Sequence, residues 1–123
     1  MKDFRKLQVW DKAHKLVLEV YQLSASFPRS ELYGLTNQLR RSVASIPENI
    51  AEGYGKDTQA VLKHFQSIAM GSASELEYEL LLAHDLGYLV DSNYEKLHNQ
   101  TSEVKRMLTG LMSTIQARKN TEP

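Results

Sequence analysis

The residues of this chain best suited to chemistry lie on one helical stripe. Gln38, Arg41, Ser45, Asn49 and Glu52 recur at three- and four-residue spacing, which puts them on one face of a helix. A solvated face is usually rich in Lys and Glu. This one carries two amides, a guanidinium, a hydroxyl and a carboxylate, each suited to directed hydrogen bonds. Arg41, buried or half-buried there, needs an anionic partner, and Glu75 and Glu79 are the best placed to supply one. The expected arrangement is a polar network of Gln38, Arg41, Ser45, Asn49, Glu52, Glu75 and Glu79, with Arg41 paired to Glu75 or Glu79. A network that fixes helix register is favoured over a ligand or RNA site.

Motifs for catalysis are weak. Gly53-Tyr54-Gly55-Lys56 lacks the spacing and the following Ser/Thr of a phosphate loop, and reads as a helix-ending turn. Ser102-Glu103-Val104-Lys105 has Ser-x-x-Lys spacing without the accompanying motifs. Glu95-x-x-His98, with Asp11-x-x-His14 as its variant, has the spacing of a di-metal carboxylate bundle. Each pair starts its helix, however, so antiparallel helices would hold them at opposite ends. His64 and His84 read as ordinary surface or core-edge residues. With no Cys, the chain has no disulfide, thiolate metal site or thiol nucleophile. No catalytic residue, metal or cofactor is assigned, and the expectation is a non-enzyme.

These residues need helices to position them. Leu35, Leu39, Val43, Ile46 and Ile50 form an apolar stripe beside the polar one, so 35–55 is the organising helix. Pro47 removes one backbone donor within it and should bend it. A first helix over 7–26 carries Leu7, Trp10, Ala13, Val17, Val20, Tyr21 and Ser24 on its stripe, and Phe27-Pro28 stops it. A third, capped by Asp57 or Thr58, runs to Leu86 with Gly87 as its stop. Its stripe is Leu62, Phe65, Ile68, Ala69, Ser72, Leu76, Leu80 and Ala83. The small residues around Gly71 mark the expected tightest helix crossing. A fourth opens on a Ser92/Glu95 capping box, continues through Leu97, Val104, Met107 or Leu108, Leu111 and Ile115, and frays from about 119. Short connections make this an all-α, antiparallel up-down-up-down four-helix bundle, one domain over 1–123.

Charge narrows the function classes. The chain of 123 residues has no net charge, which argues against coating nucleic acid by charge alone. Residues 1–56 hold nine Lys/Arg and six Asp/Glu, and the remainder six and nine, giving +3 and −3. Lys2, Arg5, Lys6, Lys12 and Lys15 make the start of the chain basic. They are the candidate contacts for RNA or DNA, although a solvated face is the favoured reading. The uncharged stretches 64–74 and 107–117 fall short of a membrane span. The start has no apolar signal region, so the protein is expected in the cytoplasm. Leu16, Leu18, Leu23, Tyr33 and Tyr54 fall off the core stripes and are candidates for an exposed interface patch.

Phe4, Leu7 and Val9-Trp10, then Phe27-Pro28, Glu31 and Gly34-Leu35, together with Gln38-Leu39-Arg40-Arg41-Ser42, Ser45-Ile46-Pro47 and Asn49-Ile50-Ala51-Glu52-Gly53, carry a resemblance. So do Ile68-Ala69, Gly71-Ser72, Glu75-Leu76-Glu77 and Leu86-Gly87-Tyr88-Leu89. The chain resembles the four-helix-bundle protein family named for proteins encoded in intervening sequences of bacterial 23S ribosomal RNA genes. It is also similar to the accessory variability protein of diversity-generating retroelements. The resemblance implies a ring-shaped homopentamer. Through the retroelement protein it also implies nucleic-acid and reverse-transcriptase binding by a basic surface, from which the zero net charge departs. Two classes follow: a nucleic-acid-associated module using the five basic residues, or a purely protein-binding or structural oligomer.

Overall fold

The computed structural model describes residues 3–56 and 58–121, with side chains to 114. Four helices follow in order: α1 (Gln8–Ser24), α2 (Leu35–Tyr54), α3 (Gln59–Asp85) and α4 (Asp91–Thr121). Single-turn 3-10 helices at Phe4–Lys6 and Arg29–Glu31 lead into α1 and α2. No strand occurs among the described residues. Each helix packs on its neighbour in sequence, and α4 closes against α1. The chain is the four-helix bundle expected.

The helix ends follow from local chemistry. Phe27-Pro28 stops α1 as expected, and the last helical residue is Ser24. The Glu31 carboxylate accepts from the Leu35 amide at 3.3 Å and from the Tyr88 hydroxyl at 2.9 Å. One side chain thus caps α2 and ties the α3–α4 connection to it. Thr58 caps α3 by accepting from the Val61 amide; Asp57, the alternative cap, lies outside the described residues. At the other end Gly87 has φ +82°. The Gly87 and Tyr88 amides bond back to the His84 and Ala83 carbonyls, the paired bonds of a Schellman close. The Ser92/Glu95 capping box does not form. Because α4 already starts at Asp91, Ser92 is inside the first turn, where its hydroxyl cannot act as the cap. Asp91 instead bonds His84 Nε2 at 2.7 Å and places negative charge at the helix start.

Leu39, Val43, Ile46 and Ile50 from α2 meet Leu16 and Val20 from α1, Leu76 and Leu80 from α3, and Leu97, Val104 and Leu108 from α4. Three expectations shift here. Leu16 is fully buried, whereas Tyr21 is exposed. Two stripes overlap on α1, sharing Ala13, Val20 and Ser24. Packing against both α2 and α4 selects the one through Val9 and Leu16. Ile68 is exposed while Gln66 is fully buried, because Gln66 occupies the turn between Leu62 and Ala69 that points inward. At Gly71, no atom of the described residues beyond its own stretch of helix lies within 4 Å of where a Cβ would stand. The close approach is at Gly53, where a Cβ would lie 2.7 Å from Phe65 Cβ and 3.3 Å from the Leu62 carbonyl oxygen.

Neither amide atom of Gln66 has a protein hydrogen-bond partner. An unmade bond of this kind costs roughly 1–3 kcal/mol. Gln66→Met, similar in shape and apolar, is therefore expected to raise stability by about 1 kcal/mol in chemical denaturation. A lower midpoint with methionine would show that the amide is satisfied in solution.

Candidate functional site

The polar stripe of α2 faces the hydroxyl-bearing side of α3 across a groove of about 490 Å³. Gln38, Arg41, Ser42 and Ser45 line it from α2, and Ser72, Glu75 and Glu79 from α3. Ser45 and Ser72 hydroxyls meet at 2.8 Å across the two helices. Asn49 Nδ2 donates to Ser45 Oγ at 2.9 Å and to the Ser45 carbonyl at 2.8 Å. Small side chains let the helices approach while their hydroxyls satisfy each other. Of the expected members, Ser45 and Asn49 are brought together, and their partner on α3 is Ser72.

Glu79 sits on the groove floor, 9% exposed. Burial pushes its carboxyl above the usual range, the Ser42 hydroxyl opposes that shift, and the neighbouring Glu75 charge adds to it. Its Oε1 has no protein partner.

Two members of the expected network take other places. Arg41 is exposed and makes no ion pair among the described residues, so its pairing with Glu75 or Glu79 is not formed. Ser42 and Ser45 take the inward positions, leaving the long guanidinium chain at the lip, in reach of water. Glu52 is exposed and pairs with Lys56 at 3.0 Å, one turn on. Gln38 and Glu75 line the groove but are exposed. Ser42 and Ser72 were the missed members; the place of Ser42 between Gln38 and Ser45, and of Ser72 in the small-residue segment of α3, was the available signal. Arg40, unassigned from sequence, donates to Ser24 Oγ and the Tyr21 carbonyl and stacks over the Tyr21 ring. A cation thereby satisfies the end of α1.

The basic set is largely compensated. Arg5 pairs with Asp3 at 3.1 Å, Lys12 with Glu103 at 3.2 Å, and Lys15 with Asp11 at 2.8 Å. Lys6 is exposed, and Lys2 lies outside the described residues. Arg5 hydrogen bonding holds the Asp3 carboxyl below its usual range.

The histidines engage rings and carboxylates. His14 stacks on Trp10, His84 and His98 both stack on Tyr94, and Asp91 raises the pKa of His84. The Lys12–Glu103 and Lys96–Glu19 pairs run α1 and α4 antiparallel. Asp11/His14 and Glu95/His98 therefore stand at different levels. No cluster of three or more His, Asp or Glu that could hold a metal occurs among the described residues. Nor is any helix there long and apolar enough to cross a membrane.

The raised pKa of Glu79 fixes the sign of a pH effect. Its folded form holds a proton more tightly than the unfolded chain does, so ionisation favours unfolding. The cost is absent below the unfolded pKa, grows as pH rises towards the folded pKa, and is full above it. Glu79→Gln, which cannot ionise, should gain on the native protein in melting temperature as pH is raised from about 4 to 8. A gap that narrows as pH rises would contradict the buried, uncompensated carboxylate.

A crystal structure at 1.70 Å of a protein of unknown function from the S23 ribosomal protein family of Bacteroides thetaiotaomicron shares this fold. Identity is 25%, the TM-score is 0.77, and the match covers 85% of this chain and 97% of that one. No functionally curated protein matches. The family model for the 23S rRNA-intervening sequence protein matches residues 5–110. That span takes in the whole of α1, the whole polar groove and most of α4, so the chain belongs to the 23S rRNA-intervening sequence protein family.

Proposed function

We propose that this protein is a non-enzymatic helical scaffold of the cytoplasm that binds protein, with further copies of itself as the first partner. The observation that carries this reading is the outer face of α3. Ser67, Gly71, Ser74, Tyr78 and Leu81 recur at three- and four-residue spacing; all five are exposed and none is charged. Small residues followed by large apolar ones give a surface into which a neighbouring helix can pack. Gly71 costs the helix about 1 kcal/mol relative to Ala, yet no neighbouring element among the described residues needs the space. Close approach of a second chain supplies the reason. Leu86 and Val90, just beyond α3, are exposed as well. Of the five patch residues expected from sequence, Leu18 and Tyr33 are exposed, Leu23 and Tyr54 are half-buried, and Leu16 belongs to the core.

The assembly we infer is a ring-shaped homopentamer. The number five rests on the family resemblance alone. A ring needs two different patches meeting head to tail, and the +3 and −3 halves of the chain suit such a contact.

Nucleic-acid contact is the second reading. It draws on the family's link to 23S rRNA, on the S23 ribosomal protein family of the Bacteroides neighbour, and on the likeness to the accessory variability protein. It ranks second because Arg5, Lys12 and Lys15 already face carboxylates, which phosphates would have to displace. Titration with structured RNA at low ionic strength orders the two, since phosphate binding is strongest there. The scaffold reading expects no saturable signal. Tight binding that falls steeply with salt, and is lost in an Arg5→Gln/Lys6→Gln variant, would reverse the order.

A further inference from the structure

Glu79 is unusual among the acidic groups of this chain. It is nine-tenths buried, its Oε1 has no protein partner, and it opens onto a groove large enough for a small organic group. Glu75, one turn earlier on α3, brings a second carboxylate to the same groove. Arg41, the only cation of the lining, stays at the lip, exposed and unpaired with either. The remaining lining groups, Ser42, Ser45, Ser72 and Gln38, all offer oxygens that accept hydrogen bonds. The lining carries two carboxylates against one guanidinium, so it is acidic overall and rich in acceptors.

We propose that the α2–α3 groove binds an organic cation, a primary ammonium or guanidinium, held by Glu79 and Glu75 with its other N–H groups on the serine hydroxyls. Several donors on one cation match this lining better than a metal ion does, because hydroxyl and amide oxygens are weak ligands without further carboxylates. The cation has two possible sources: a free amine, or a Lys or Arg side chain of a second copy of this chain. The site is on the α2 flank of α3, separate from the outer face on which self-association rests, so either proposal can fail alone.

Agmatine carries both cationic groups and is the probe. Titrated into the full chain at low ionic strength and followed by calorimetry, it is expected to bind saturably. Glu79→Gln should weaken binding by about tenfold or more, since a charge-assisted bond is replaced by a neutral one. Glu75→Gln lies at an exposed position, cannot disturb the core, and should weaken it by about threefold. Arg41→Gln removes a like charge and should tighten it. Circular dichroism confirms that each variant is folded. Two results would overturn the site: no saturable heat up to about 10 mM agmatine, or equal affinity in the folded Glu79→Gln and native proteins. With saturable binding in hand, solution mass assigns the source. A mass that falls as agmatine is added, or tighter agmatine binding by Gly71→Leu protomers than by the native protein, shows the amine competing with a neighbouring copy's basic side chain; an unchanged mass with equal affinity in the two shows a free-amine site.

Discussion

Gly53→Leu is expected to destabilise the bundle by about 1–3 kcal/mol, the usual range for overpacking. That is a large part of the roughly 5–15 kcal/mol that holds a domain of this size folded. The cause is local. A Cβ at position 53 would stand 2.7 Å from Phe65 Cβ, and the Leu62 carbonyl oxygen lies 3.3 Å away. Both atoms belong to or adjoin the α3 backbone, so neither can swing aside as a side-chain tip would. The helices would have to separate at the start of α3, and buried Leu62 and half-buried Phe65 would lose contact with α2. Both substitutions gain helix propensity over glycine, but alanine adds only the Cβ while leucine adds a bulky side chain beyond it, so Gly53→Ala should lose less than Gly53→Leu. Urea denaturation reads both; an unchanged midpoint for leucine would mean that α2 and α3 do not approach closely at this glycine.

Gly71→Leu is expected to do the opposite. Among the described residues, no atom beyond the glycine's own stretch of helix lies within 4 Å of the new Cβ, so the fold should persist, with helix propensity improved by up to about 1 kcal/mol. The new side chain would project from the exposed face shared by Ser67, Ser74, Tyr78 and Leu81. A helix from another copy could no longer come close there, and the assembly should dissociate to folded protomers. Undiminished assembly in a folded Gly71→Leu protein would remove this face from the interface. The pair of variants is expected to separate protomer stability, read at Gly53, from the proposed assembly, read at Gly71.

Much of this was legible in the sequence, and the exceptions have physical causes. The α2 stripe needed only its period, because its five members, Leu35, Leu39, Val43, Ile46 and Ile50, are all aliphatic. α1 was harder, since Leu16 and Val17 both fit an apolar period and only the presence of helices on two sides settles the rotation. Gln66 was missed for its type: the period put it inward, but an amide is rarely placed in a core without partners. The close approach lies at Gly53 and not at Gly71 because a glycine's need for space depends on what lies opposite, which spacing along one helix does not contain. In the groove, Ser45 and Asn49 were legible from the stripe, and Ser72 from the small-residue segment facing it. Arg41 was misplaced because a long cationic side chain can leave a polar groove for water, whereas a serine cannot. The compensation of Lys12 by Glu103 joins residues far apart in sequence and was open only to the folded chain.

Self-association is the claim on which the proposed function depends most. Multi-angle light scattering of the full chain at micromolar concentration measures it without reference to a standard. The protomer mass is 14.0 kDa. The expected result is a multiple of that mass, about 70 kDa for a closed ring of five, collapsing to the protomer mass in Gly71→Leu. A native protein that elutes at 14.0 kDa across the concentration range would contradict it.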